Sequence, residues 1–116
     1  MKRSIPGSAM KSLEHSIKYT VDFTRMLLKK EKPDFVCENV IQIIRDIYLL
    51  KNGKPLEGSA ADGIQKLRID FNEIELHTIN VIEQSMRKEE YYEQTCKFIN
   101  DELLNSILLK LENFIG

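Results

Sequence analysis

Tryptophan is absent from this 116-residue chain, and helix breakers are few: five glycines and three prolines. Apart from Gly116 they fall at Pro6, Gly7, Pro33, Gly53, Pro55, Gly58 and Gly63, and none lies between positions 64 and 115. That spacing argues against a β-rich fold or a low-complexity linker, because both need frequent turns. Charge of one sign is also lacking. A formal net charge of -1 removes the footprint of a general nucleic-acid binder. The longest basic cluster, Lys29, Lys30 and Lys32, is interleaved with Glu31 and followed by Asp34. Charges interrupt every apolar run before the 18 or so residues a membrane span requires, and the first residues lack the apolar core of a signal peptide. The expectation is therefore no membrane, no nucleic acid and a reducing, intracellular compartment. Cys37 and Cys96 form no CxxC pair and read as buried thiols. With only His15 and His77 to join them, no zinc-type spacing exists and no metal is expected.

The chain is instead 42% hydrophobic and 30% charged, a globular composition sized for one domain. Leu13, Ile17, Val21, Thr24, Leu27 and Leu28 recur at helical steps and predict a helix over about 10–30. Pro33 opens a second helix over 33–51 with the stripe Val36, Val40, Ile43, Ile44, Ile47 and Leu50. Its width predicts a central position, and Asn52-Gly53 predicts a left-handed stop. From Ile64 the steps Leu67, Phe71, Ile74, Thr78 and Val81 resemble a coiled-coil seam. A polar interval through Arg87, Lys88, Glu89 and Glu90 follows. The stretch 62–115 reads either as one rod of about 80 Å or as two helices, 62–87 and 91–115, broken between 86 and 91. The fold class predicted is all-α: a three- or four-helix bundle with a long C-terminal helix or helical hairpin.

Gly-Ser-Ala occurs at both Gly7-Ser8-Ala9 and Gly58-Ser59-Ala60, each time before a helix. Residues 1–9, ahead of Met10, read as an expression remnant. Residues 52–61 read either as an ordinary surface loop or as an engineered linker tethering two interacting segments.

Catalytic signals are sparse. The chain has no Gly-rich phosphate loop, no HExxH and no nucleophile elbow. Asp70, Glu73 and His77 are spaced to share a helix face, and they read as solvated side chains. The chain holds no Glu-x-x-His of the kind di-metal bundles use. His15-Ser16-Ile17-Lys18-Tyr19 resembles the His-x-x-Lys-Gly core of histidine phosphotransfer domains, with Tyr19 where that family has glycine. The resemblance implies a helical bundle in which His15 takes a phosphoryl group and Lys18 offsets its charge. A ring at position 19 would crowd an incoming response regulator, and a tag-like segment rather than helix is expected before His15.

The function expected is a non-enzymatic helical protein–protein interaction module without cofactor, binding a partner helix or a second copy of itself, with a homodimer preferred. Phosphotransfer through His15 is the alternative. The partner-binding residues expected are apolar positions that exceed what one bundle buries: Phe35, Ile41 and Leu49, then Ile69, Leu76 and Ile79, then Leu104, Leu108 and Ile115. Tyr91, Tyr92 and Phe98 read as either core or anchors.

Overall fold

The computed structural model describes residues 7–30, 33–88 and 97–116. These form five α-helices and no strand: α1 (Gly7–Lys29), α2 (Pro33–Asn52), α3 (Ala60–Leu67), α4 (Glu73–Arg87) and α5 (Asp101–Ile115). Among the described residues, no helix is long and apolar enough to cross a membrane.

The two long helices follow from their stripes. α1 buries Ile17, Val21, Thr24 and Leu28, and the Thr24 hydroxyl donates to the Thr20 carbonyl, so its polar atom is satisfied inside the helix. α2 has Pro33 at its first position, where the missing N–H is not needed. It ends as expected: Gly53 takes φ 72° and donates its N–H to the Leu49 carbonyl. α2 is the hub, packed against α1, α3, α4 and α5. Its residues Val36, Cys37, Val40, Ile41, Ile43, Ile44 and Ile47 join one core cluster that draws side chains from every helix.

The rest of the chain departs from the expected long helix. The seam from Ile64 is interrupted after Leu67, because Arg68 turns left-handed (φ 59°) and Ile69 N–H reaches back to the Ile64 carbonyl. Asn72 then starts α4 with a reciprocal cap. Its side chain accepts from Glu75 N–H at 2.8 Å, and Glu75 accepts from Asn72 N–H at 2.9 Å. Ile74, placed in the seam by periodicity, is consequently exposed. α4 stops at Arg87, so the 80 Å rod is ruled out; the longest extent of the whole molecule is 42 Å. The remainder of the predicted break, 89–91, lies outside the described residues. The last helix is short; α4 and α5 meet where Ser106 and Lys110 reach Glu75, and each also lies against α2.

Residues 7–9 are helical, so α1 begins before Met10. Between α2 and α3 the chain is tied down. Leu56 is buried, Arg45 donates to the Leu56 and Gly58 carbonyls, and Ser59 caps α3 by accepting from Asp62 N–H. Gly63 lies so close to this loop that a Cβ there would meet Leu56 Cδ2 at 2.6 Å.

Candidate functional site

Two buried carboxylates on α4 are the most conspicuous polar features of the interior. Glu75, 1% exposed, accepts from Ser106 Oγ at 3.0 Å and from Lys110 Nζ at 2.5 Å, both on α5. Burial alone would push its carboxyl up. The hydrogen bonds from Lys110, from Asn72 N–H and from Ser106, with the Lys110 charge, outweigh burial and hold it below the usual glutamate range. Two turns on, Glu83 accepts from Arg45 at 2.6 Å and from Ala60 N–H at 2.8 Å. Every acceptor is thus spent on holding helices together. Among the described residues, no buried side-chain nitrogen or oxygen lacks a partner, so the interior offers no unpaired group to a substrate.

The nine apolar residues expected to face a partner are placed differently from one another. Ile41, Ile79, Leu104 and Leu108 are buried in this chain's own core. Leu49 is half-buried, while Ile69, Leu76 and Ile115 are half-buried against the core. Phe35 alone of the nine is exposed. The surplus of apolar surface inferred from the sequence therefore shrinks, because α2 is covered on several sides and absorbs most of it. Phe98 is exposed; Tyr91, Tyr92 and Cys96 lie outside the described residues, whereas Cys37 is buried. Asp70, Glu73 and His77 are all exposed, and the cap at Asn72 separates Asp70 from the helix that carries the other two.

Met10, Phe35, Ile74, Phe98 and Leu109 are exposed at separate places, but three exposed apolar residues line up on a face the sequence reading did not single out. On α1, opposite the buried stripe, Tyr19, Phe23 and Met26 follow one another at i, i+4 and i+7 and are 70%, 38% and 42% exposed. The Tyr19 and Phe23 rings stack, with centroids 6.1 Å apart and planes inclined by 8°. His15, exposed, continues this line one turn earlier, and eight helical residues precede it rather than a tag-like segment. Lys18 is half-exposed and its Nζ pairs with Glu14 at 3.2 Å. The signal was present in the sequence: once Leu13, Ile17, Val21, Thr24, Leu27 and Leu28 are assigned to the core side, Tyr19, Phe23 and Met26 are left on one line, with Met10 apart from it.

Two shallow depressions complete the surface. One, of about 530 Å³, lies between α1 and α5 and is crossed by the Arg25–Glu112 ion pair at 3.2 Å. The other, of about 360 Å³, borders Arg68, Asp70 and Lys110, whose ammonium is committed to Glu75. Among the described residues, no three His, Cys, Asp or Glu side chains converge into a group that would hold a metal ion. Comparison of the chain with protein-family models, with curated proteins and with solved structures found no match in any of the three.

Proposed function

We propose that this protein is a non-enzymatic helical interaction module whose docking face is the outer side of α1. The observation that carries the reading is the stacked Tyr19–Phe23 pair, continued by Met26 on the side of the helix turned away from its own core. Aromatic side chains and methionine are the residue types favoured at binding hot spots and adaptable interfaces. Leaving two rings and a thioether in water along one line brings the monomer no packing benefit. A partner that covers them gains their burial, and the pre-stacked rings have little further freedom to lose.

The test is affinity enrichment with three versions of the intact chain: wild type, His15→Ala, and Tyr19→Ser combined with Phe23→Ser. The expected result is a protein that, once purified, binds the first two and not the third. Binders that ignore the third version's substitutions, or no binder that depends on them, would overturn the docking reading.

A second reading, phosphotransfer, is favoured by the exposure of His15 in the middle of α1. In that reaction a His15 ring nitrogen would take the phosphoryl group of acetyl phosphate and release acetate. An acid-labile mass increase on His15, absent from His15→Ala, supports it; an unmodified His15 after incubation with the phosphodonor removes it.

A further inference from the structure

We infer that the segment this face receives is an amphipathic helix with carboxylates along one flank of its apolar stripe, an inference that rests on the docking reading above. The two flanks of the α1 stripe differ. On one side Lys11, Lys18 and Lys29 recur at two- and three-turn steps, all exposed, with Asp22 as the acidic residue among them. Lys30, also exposed, follows at the end of the helix. On the other side stand Ser16 and Thr20, which carry no charge, and the Thr20 hydroxyl is turned inward onto the Ser16 carbonyl at 2.8 Å. α1 holds four basic residues against two acidic ones although the whole chain is formally -1. Positive charge is therefore gathered beside the only aligned aromatic pair among the described residues. Arg25 faces Glu112 and Asp22, and Lys18 faces Glu14; Lys11, Lys29 and Lys30 make no ion pair among the described residues.

Charge complementarity selects the occupant. A second copy does not supply it. If two α1 helices met face to face and antiparallel, a two-fold axis would set lysine flank against lysine flank. If they met in parallel, the lysines would face Ser16 and Thr20. Neither arrangement brings a carboxylate to Lys11, Lys29 or Lys30, and the first adds like-charge repulsion. An anionic bilayer fits less well too. The apolar arc is only about 60° wide at 100° per residue, Asp22 interrupts the basic rim, and cations border one side alone, whereas interfacial helices present a broad apolar face. A partner helix needs no more than this. Its own i, i+3/i+4, i+7 anchors lie across Tyr19, Phe23 and Met26, and its acidic flank meets the lysines. The contact is small, below the roughly 1,200 Å² of standard interfaces. Steering by the lysine rim thus governs how fast it forms and makes it sensitive to salt.

The test uses the intact protein and three fluorescein-labelled 18-residue helical peptides with one Leu stripe, differing only in whether one flank carries Glu, Gln or Lys. Fluorescence anisotropy at low salt is expected to show the Glu peptide binding at least tenfold tighter than the Lys peptide. The triple variant Lys18→Glu, Lys29→Glu, Lys30→Glu should invert that order while its thermal unfolding curve stays cooperative. Equal binding of the Glu and Lys peptides, or a Glu preference that survives the triple reversal, overturns the inference. So does a dimer seen by light scattering, or sedimentation with phosphatidylserine vesicles, that disappears in Tyr19→Ser/Phe23→Ser. Loss of the acidic preference with a stripe-dependent protein partner still in hand would sink this inference alone. Absence of any dependence on Tyr19 and Phe23 would sink the docking reading beneath it.

Discussion

The α1–α2 half and the α3–α5 half are held together by different means. α1 and α2 are 23 and 20 residues long, and what they bury is mostly aliphatic, with Thr24, Cys37 and Tyr48 the exceptions. α3, α4 and α5 are 8, 15 and 15 residues long, each begins on a capping side chain, and four of the five buried polar residues described sit on α4. A long helix accumulates enough burial along its stripe to be insensitive to where it ends. A short one gains little from propagation, so its ends must be specified by Ser59, Asn72 and Asn100 and its position by directed contacts such as Glu75–Lys110. The first half is thus robust in register, and the second is defined at its joints.

Four substitutions probe that contrast. Ile44→Ala, in the fully buried middle of α2, should cost about 3 kcal/mol and do so at any pH, because it removes packing and leaves a cavity; denaturant unfolding at pH 5 and pH 8 measures it. Glu75→Gln keeps the shape and the reciprocal cap but removes the charge facing Lys110. The expected loss is about 2 kcal/mol at pH 7. Its pH dependence has a definite sign. A carboxyl held below its unfolded value contributes fully above that value and loses its contribution as pH falls through the folded one, so the wild type's advantage should shrink below about pH 4. An advantage that is flat with pH would place Glu75 with Ile44 and erase the contrast. Asn72→Ala should cost about 1 kcal/mol and raise amide exchange in the first turn of α4 rather than throughout the molecule. Tyr19→Ser should move stability by no more than about 0.5 kcal/mol, although the residue it replaces is among the largest on α1.

The same contrast explains which parts of the architecture were legible beforehand. The two long helices, the central role of α2 and the stop at Gly53 follow from periodicity and from one glycine, and the helices stand where expected to within three residues at every end. The break between α3 and α4 contains neither glycine nor proline, so punctuation did not reveal it. Its signal was Asn72-Glu73-Ile74-Glu75, a capping-box spelling that a continuous apolar seam through Phe71, Ile74 and Thr78 obscured. Arg68, an arginine in a left-handed conformation, left no sequence trace, because neither glycine nor asparagine, the residues that usually mark such a stop, stands there. Glu75 and Glu83 did not stand out in the sequence, because burial of a carboxylate depends on a partner far along the chain, Lys110 in one case and Arg45 in the other. The exposed line of Tyr19, Phe23 and Met26 was passed over for the opposite reason: attention to which residues are inside overlooks what is left outside.

Arg45 reaches from α2 to the Leu56 and Gly58 carbonyls and to Glu83, and Glu83 in turn takes the Ala60 N–H. One guanidinium and one carboxylate therefore join the loop, the start of α3 and the far end of α4 into a single closed circuit. Lifting the loop away would strip the buried Glu83 of the Ala60 N–H and Arg45 of two carbonyls, so the loop frays less readily by itself than surface connections usually do. Its amides should instead exchange at the rate of α4, as one cooperative unit. The segment that looked in the sequence like a place to cut the chain in two then behaves, in time, as part of the helix it is clamped to.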